Sequence, residues 1–220
     1  MRNVLGRLVT DLSKKLSVHA VAALLLLSAA ASAYSAPKTV LVLGDSLSAE
    51  YGLARGAGWV ALAEQKLKDE KIDAAIVNAS VSGETTSGGR TRLPALLDKY
   101  KPAVVVIELG ANDGLRGLPV NAAQANLRAM SEAAAKAGAR VMLIGMRIPP
   151  NYGRDYSDKF FAMYGSLSKE FNAPLVPFML DGVADKTQLF QADRLHPLAQ
   201  AHPTILANIW PVLQKTIKAK

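Results

Sequence analysis

Five short apolar runs recur along the chain, and a segment with helical periodicity follows each of them. The runs are continuous rather than alternating, which is typical of parallel strands buried on both faces. The predicted strands are 39–44, 74–80, 103–110, 140–146 and 175–178, and the predicted helices are 59–70, 86–100, 121–138, 156–171 and 198–218. The sequence therefore predicts an α/β fold, a three-layer α/β/α sandwich with a five-stranded parallel sheet.

The N-terminus has the composition of an export signal. A basic start is followed by an uncharged stretch, 16–37, whose apolar centre ends in Ala31-Ser32-Ala33. Small residues at that point suit a signal peptidase. We expect a signal peptide over 1–33, cleavage after Ala33, a single domain over 34–220, and a periplasmic or secreted mature protein. An uncleaved membrane anchor is the alternative, because the uncharged stretch is just long enough to span a bilayer.

The chain contains no cysteine. This excludes disulfides, a lipoprotein anchor and thiolate metal sites. No cluster of histidine and carboxylate residues has the spacing of metal ligands, so we predict no metal and no cofactor.

The formal net charge is +8, but four of the basic residues lie in the predicted signal peptide. The remainder is mildly basic, without a dense Lys/Arg block or interleaved aromatic residues. This charge pattern predicts no nucleic-acid partner, and it is compatible with some affinity for anionic head groups of membrane lipids.

Polar residues follow the predicted strands at their carboxyl ends, where open α/β sheets place their sites. Ser46 follows the first strand, Gly83 the second, Asn112 the third, and Asp193 and His196 lie between the fifth strand and the last helix. A hydroxyl, an amide, an imidazole and a carboxylate at one edge are the groups that serine acyl transfer requires.

Ser46 is the candidate nucleophile. It lies where the first strand is expected to turn into a helix, so its hydroxyl can project from the sheet edge, and the adjoining N–H groups favour a developing anion. The surrounding Gly-Asp-Ser-Leu differs from the G-x-S-x-G elbow of other hydrolases. The alternative role for Ser46 is a helix N-cap.

His196 is the candidate general base. Asp193, three residues earlier, can curl back to accept a hydrogen bond from Nδ1–H and fix the tautomer of the ring. The alternative is an aspartate at a helix start beside an incidental histidine. His202 falls within the last predicted helix, where it packs or faces solvent.

Gly83 and Asn112 complete a predicted oxyanion hole. A glycine lets its N–H approach a substrate without an intervening Cβ, and the Asn112 amide can donate a second hydrogen bond. The irregular segment 147–156 is the candidate wall of the substrate site, with Ile148, Pro149 and Tyr152 as substrate-binding residues. An ordinary surface loop is an equally good interpretation of this segment.

These residues resemble the blocks of the SGNH, or GDSL-type, hydrolase superfamily. The matching residues are Gly44-Asp45-Ser46-Leu47, Gly83, Gly110-Ala111-Asn112-Asp113 and Asp193-x-x-His196. The resemblance runs over about residues 38–218 and is closest to the branch of periplasmic multifunctional thioesterases, proteases and lysophospholipases. This branch often has glycine where this chain has Ala111.

The resemblance implies a flavodoxin-like fold, a metal-free Ser/Asp/His mechanism and oxyanion donors from Ser46 N–H, Gly83 N–H and the Asn112 side chain. It also implies activity on acyl thioesters, aryl and short-chain esters, and lysophospholipids. We therefore expect a serine esterase whose partner is a small-molecule acyl ester or thioester. A carbohydrate acetylesterase is one alternative, and a non-catalytic module that binds an anion is another.

Overall fold

A computed structural model describes residues 37–219. The predicted signal peptide and its cleavage site lie outside these residues. Within them, no helix is both long enough and apolar enough to cross a bilayer.

Five parallel strands form one sheet in the order β2-β1-β3-β4-β5. The strands are β1 (Lys38–Gly44), β2 (Ala74–Asn78), β3 (Val104–Glu108), β4 (Arg140–Ile144) and β5 (Leu175–Val176). The two central strands are aligned with Val40 opposite Val104 and Gly44 opposite Glu108. Their apolar side chains are almost fully buried, as continuous apolar runs require.

Helices cover the sheet in two groups. They are α1 (Trp59–Asp69), α2 (Thr86–Tyr100), α3 (Ala111–Leu115), α4 (Val120–Lys136), α5 (Arg154–Glu170) and α6 (His202–Lys218). One group consists of α2, α4 and α5, in which α4 packs against both of the others, and the other is the pair of α1 and α6. The predicted three-layer sandwich with a five-stranded parallel sheet is confirmed.

Several boundaries differ from those predicted. The last helix begins at His202 rather than Leu198, after an extended Leu198 and the 3₁₀ turn Ala199–Ala201. Pro203 in the first turn favours this start, since proline costs nothing where the N–H has no helical partner. The fifth strand stops at Val176, because Pro177 cannot donate to the ladder. Helix α3 was not predicted.

Candidate active site

The turn after β1 presents Ser46 at the carboxyl edge of the sheet. β1 ends at Gly44, where an added Cβ would lie 2.6 Å from Glu108 Oε2. The chain then forms turns, with Ser48 N–H and Ala49 N–H donating to the Asp45 carbonyl at 3.2 and 2.9 Å.

The helix expected directly after Ser46 is therefore absent, and the next helix of the described chain is α1. The Asp45 carboxylate, not the Ser46 hydroxyl, caps this turn by accepting from Leu47 N–H at 3.0 Å. The N-cap interpretation of Ser46 was wrong, and the hydroxyl is available for another contact.

That contact is His196. Ser46 Oγ lies 2.9 Å from His196 Nε2, and His196 Nδ1 lies 2.7 Å from Asp193 Oδ2. The two hydrogen bonds join hydroxyl, imidazole and carboxylate in one line. The structure thus brings together the three residues that the sequence predicted for nucleophile, base and carboxylate.

Asp193 is held by its own turn. Its Oδ1 accepts from Leu195 N–H at 2.9 Å and His196 N–H at 3.1 Å, and Arg194, which directly follows Asp193, adopts φ +58°. Burial raises the pKa of Asp193, but the hydrogen bonds from Leu195 and His196 outweigh it and lower the pKa to about 2. The carboxylate therefore stays ionised beside His196 at neutral pH.

The ring of Tyr51 also packs against the imidazole, a contact that no sequence motif indicated. Its ring centroid lies 4.4 Å from that of His196, with the planes at 39°. The Tyr51 carbonyl accepts from Gln191 Nε2 at 2.9 Å, and Gln191 N–H donates to the His196 carbonyl at 2.8 Å. These bonds connect the turn that carries Ser46 to the loop that carries His196.

Asn112 lies in the first turn of α3, which starts after Gly110 at φ +119°. An added Cβ at Gly110 would approach the Tyr164 hydroxyl to 2.5 Å, so glycine is required there on both counts. Asn112 Nδ2 donates to Asp45 Oδ2 at 3.1 Å.

Asp113, the next residue, is buried and accepts from Thr86 N–H at 2.8 Å and Thr86 Oγ1–H at 2.6 Å, which joins α3 to α2.

Gly83 follows β2 at the same sheet edge, at φ +77°. The nearest atom to an added Cβ would be Arg116 Nη2 at 3.9 Å, so within the described chain the backbone conformation, not crowding, requires glycine. The Gly83 carbonyl accepts from Arg116 Nη2 at 3.0 Å. Gly83 is not among the residues that line the cavity beside Ser46.

Two buried carboxylates lie beneath the site. They are Asp45 and Glu108, and no sequence argument singled out Glu108. Glu108 accepts from Asp45 N–H at 3.2 Å and from Ser48 Oγ–H at 2.7 Å. Ser48 Oγ in turn accepts from Trp59 Nε1–H at 3.1 Å. Burial is the main cause that raises the pKa of Asp45 to about 6, and burial together with the charge of Asp45 raises the pKa of Glu108 well above its usual value. Its position inside a buried apolar run was the signal that could have identified Glu108.

A cavity of about 440 Å³ opens beside these groups, and Ser46, Asn112 and His196 lie in its wall. The rest of the wall is mainly apolar and includes Ala111, Leu115, Met146, Ile148, Pro149, Phe178, Leu180, Phe190 and Leu195. A further cavity of about 510 Å³ shares Arg147 with this wall, and Ser46, Asn112 and His196 do not line it.

The structure places two of the three predicted substrate-binding residues in this wall. Ile148 is buried and lines the cavity together with Pro149. Tyr152 does not line it, because its hydroxyl donates to the Leu115 carbonyl at 2.7 Å and holds the ring against the end of α3. Tyr152 therefore fastens the loop rather than facing the cavity.

Among residues 37–219, no three histidine or carboxylate side chains lie close enough together to hold a metal ion. The chemistry available at this edge is that of the hydroxyl, the imidazole, the carboxylates and the amide.

A serine hydroxyl bonded to an imidazole, itself bonded to a carboxylate at the carboxyl edge of a parallel α/β sheet, defines a serine hydrolase. The chain belongs to the GDSL-like lipase/acylhydrolase family, whose pattern it matches over residues 42–203.

The similar proteins are esterases and a thioesterase. The chain is 49% identical to Esterase TesA of Pseudomonas aeruginosa over 180 residues, which cover 82% of this chain and 90% of that protein. It is 43% identical to thioesterase 1/protease 1/lysophospholipase L1 of Escherichia coli K12 over 78% of this chain and 81% of that protein. The solved structure of the psychrotrophic esterase EstA from Pseudoalteromonas, inhibited by monoethylphosphonate, is 44% identical, with a TM-score of 0.79 over 83% of this chain and 100% of EstA.

These similarities confirm the predicted family, fold and enzyme class. The chain is a hydrolase of the GDSL type, and the alternative of a non-catalytic anion-binding module is wrong.

Proposed function

We propose that this protein is an exported serine esterase that cleaves carboxylic esters and acyl thioesters through an acyl-enzyme on Ser46. The observation that carries the proposal is the line of hydrogen bonds from Ser46 through His196 to Asp193 beside an apolar cavity. The cavity suits an acyl chain, and the relatives named esterase and thioesterase support both bond types.

The geometry supports two steps. His196 Nε2 takes the Ser46 proton while Oγ attacks the substrate carbonyl, and the protonated ring then gives that proton to the leaving alcohol or thiol. In the second step His196 activates a water molecule, which releases the acid and restores Ser46. Asp193 stabilises the imidazolium in both steps.

The negative oxygen of each tetrahedral intermediate needs donors at the same edge. We assign this role to Ser46 N–H, Gly83 N–H and the Asn112 side chain. Each such donor is typically worth about 10²–10³ in turnover.

A substrate series tests the substrate class. The series would contain p-nitrophenyl esters from acetate to palmitate, palmitoyl-CoA, a lysophospholipid and an acetylated xylan. Each buried methylene contributes about 0.8 kcal/mol, so kcat/KM should rise up to about fourfold per methylene from acetate until the cavity is filled. A maximum at acetate with strong activity on acetylated xylan would instead support the carbohydrate acetylesterase.

The export proposal has a separate test. The full chain would be expressed in a Gram-negative host, and the N-terminus of the product would be sequenced. We expect Tyr34 at the N-terminus and activity in the periplasmic or extracellular fraction. A product that keeps Met1 and sediments with membranes would support the anchor instead.

A further inference from the structure

We propose that Asp45 is a positioning residue that fixes the amide orientation of Asn112, so that an N–H group rather than a carbonyl faces the reacting oxygen. The inference rests on the proposed function, in which Asn112 is an oxyanion donor. It gives a role to a buried carboxylate that the steps above do not use.

The first observation is how the Asn112 amide is engaged. Nδ2 carries two hydrogens, and one of them is donated to Asp45 Oδ2 at 3.1 Å. Within residues 37–219 no protein atom accepts the second hydrogen, and Asn112 lies in the wall of the cavity together with Ser46. The second N–H is thus the one available to a substrate oxygen.

The second observation is that Asp45 is itself buried and hydrogen-bonded at two points. The residue is 1% exposed, and its Oδ1 accepts from Leu47 N–H at 3.0 Å. Its backbone N–H donates to Glu108 Oε2 at 3.2 Å. Asp45 therefore offers Asn112 a fixed acceptor one residue before the proposed nucleophile.

The chemistry of the pair selects one orientation. An ionised carboxylate only accepts, so it can face only the NH₂ end of the Asn112 amide. A rotation by 180° about the last side-chain bond would place two oxygens against each other at Asp45. The same rotation would turn the Asn112 carbonyl toward the developing negative charge, so Asp45 excludes the orientation that would oppose catalysis.

Asp45→Asn separates this role from a structural one. Asparagine caps turns about as well as aspartate, so its oxygen can keep the bond from Leu47 N–H. Its NH₂ group would then face Asn112 and favour the rotated amide. A purely structural role predicts nearly normal turnover for this variant, whereas the positioning role predicts a loss like that of an oxyanion donor.

The experiment is a double-mutant cycle with kcat, KM and melting temperature measured for each variant. We expect Asp45→Asn to lower kcat about 10²–10³-fold, with KM changed less than about threefold and the melting temperature nearly kept. In the Asn112→Ala background the same change should cost less than about threefold, because no amide remains to be oriented. Glu108→Gln is the matched control, since Glu108 is equally buried and contacts Asp45 but not Asn112, and its kcat loss should be much smaller.

A second variant, Asp45→Ser, provides the test if Asp45→Asn folds poorly. Asp45→Ser keeps an oxygen for Leu47 N–H but cannot reach Asn112, and it should show the same dependence on Asn112. Equal losses with and without Asn112, or wild-type kcat in Asp45→Asn, would overturn the inference. If the variants give either of these results while the wild-type protein hydrolyses esters and is acylated on Ser46, only the positioning role of Asp45 fails. A wild-type protein that is inactive and unlabelled refutes the proposed function itself.

Discussion

At the scale of single residues, His196 is fixed by three neighbours. Ser46 and Asp193 are hydrogen-bonded to its two ring nitrogens, and the centroid of the Tyr51 ring lies 4.4 Å from the centroid of the imidazole. Asp193 depends in turn on two backbone N–H groups of its own loop. A short segment, 193–196, therefore carries both the base and the group that orients it.

The Asp193→Asn variant tests the orientation of the base. The amide should favour the wrong tautomer of His196 and fail to stabilise the imidazolium, and in an unrelated serine protease this change costs about 10⁴ in turnover. We expect a loss of about 10³–10⁴ in kcat with little change in melting temperature, since the Asp193 side chain is 39% exposed. Asp98→Asn, at an exposed carboxylate near the C-terminal end of α2 and outside the cavity wall, is the control and should retain full kcat. Turnover within tenfold of wild type in Asp193→Asn would refute the assigned role.

The Gly83→Ala variant tests whether the backbone conformation at Gly83, rather than the space around it, matters for turnover. Gly83→Ala places a Cβ where the described chain leaves room, but at φ +77° it costs about 1 kcal/mol or more. We expect a modest loss of stability by chemical denaturation and a kcat loss of about 10-fold or more, because the shifted backbone misplaces the donor N–H. Gly117→Ala, also at positive φ with open space, is the control and should lose stability but not kcat. Equal kcat in both variants would remove Gly83 from the oxyanion hole.

At the scale of elements, the site depends on where helices begin. Glu50 Oε1 accepts from Gly58 N–H at 2.8 Å, and His202 Nδ1 accepts from Trp59 N–H at 3.0 Å, so two side chains cap the start of α1. His202 is itself the first residue of α6 and is 1% exposed. It therefore packs inside the protein, one of the two positions predicted for it, and joins the two helices on one side of the sheet.

His202 should govern stability rather than turnover. His202→Ala removes a buried acceptor of Trp59 N–H and should lower the free energy of unfolding by about 1–3 kcal/mol, with kcat nearly unchanged. Burial lowers the pKa of His202 below the value of 6.5 of an exposed ring. The unfolded chain then binds more protons than the folded one, so this stability is present above about pH 6.5 and is lost as the pH falls toward the lower folded pKa.

Denaturation curves between pH 8 and pH 5 check this account. The wild-type protein should lose more stability over that range than His202→Gln, which cannot titrate. Parallel pH dependence in the two proteins would contradict the buried neutral state, and loss of kcat in His202→Ala at pH 8 would contradict its structural role.

The sequence predicts the main elements because their patterns are strong. The buried strands are continuous apolar runs such as 103–110, and the strand-end residues Ser46 and Asn112 follow from them. Helix α3 was not predicted because its five residues, Ala111–Leu115, are too few to show a helical periodicity. The contacts of Tyr51 with His196 and of Asp45 with Asn112 depend on how separate strand ends are placed in space, which no local pattern encodes.

At the scale of the whole molecule, one sheet edge gathers every proposed catalytic group. Ser46 follows β1, Gly83 follows β2, Asn112 follows β3, and His196 comes from the loop before α6. The carboxyl ends of parallel strands meet at one edge, which brings these distant segments together. Most of the apolar wall beside them comes from the segments after β4 and β5, and Ala111 and Leu115 of α3 complete it. Fold and site are thus consequences of the same strand order.

Metal removal tests the whole chemical account. We expect esterase activity to survive exhaustive dialysis against EDTA, because the proposed steps need only the three side chains and the oxyanion donors. A loss of activity that a divalent ion restores would contradict the mechanism.

The most direct measurement is the site of covalent labelling. The protein would be treated with a fluorophosphonate, which phosphonylates activated serines, and the labelled residue located by peptide mass spectrometry. We predict one adduct, on Ser46, with labelling abolished in both Ser46→Ala and His196→Ala and retained in His202→Ala. An adduct on Ser48, Ser82 or another serine, or labelling that persists in Ser46→Ala, would contradict the central claim that Ser46 is the nucleophile activated by His196.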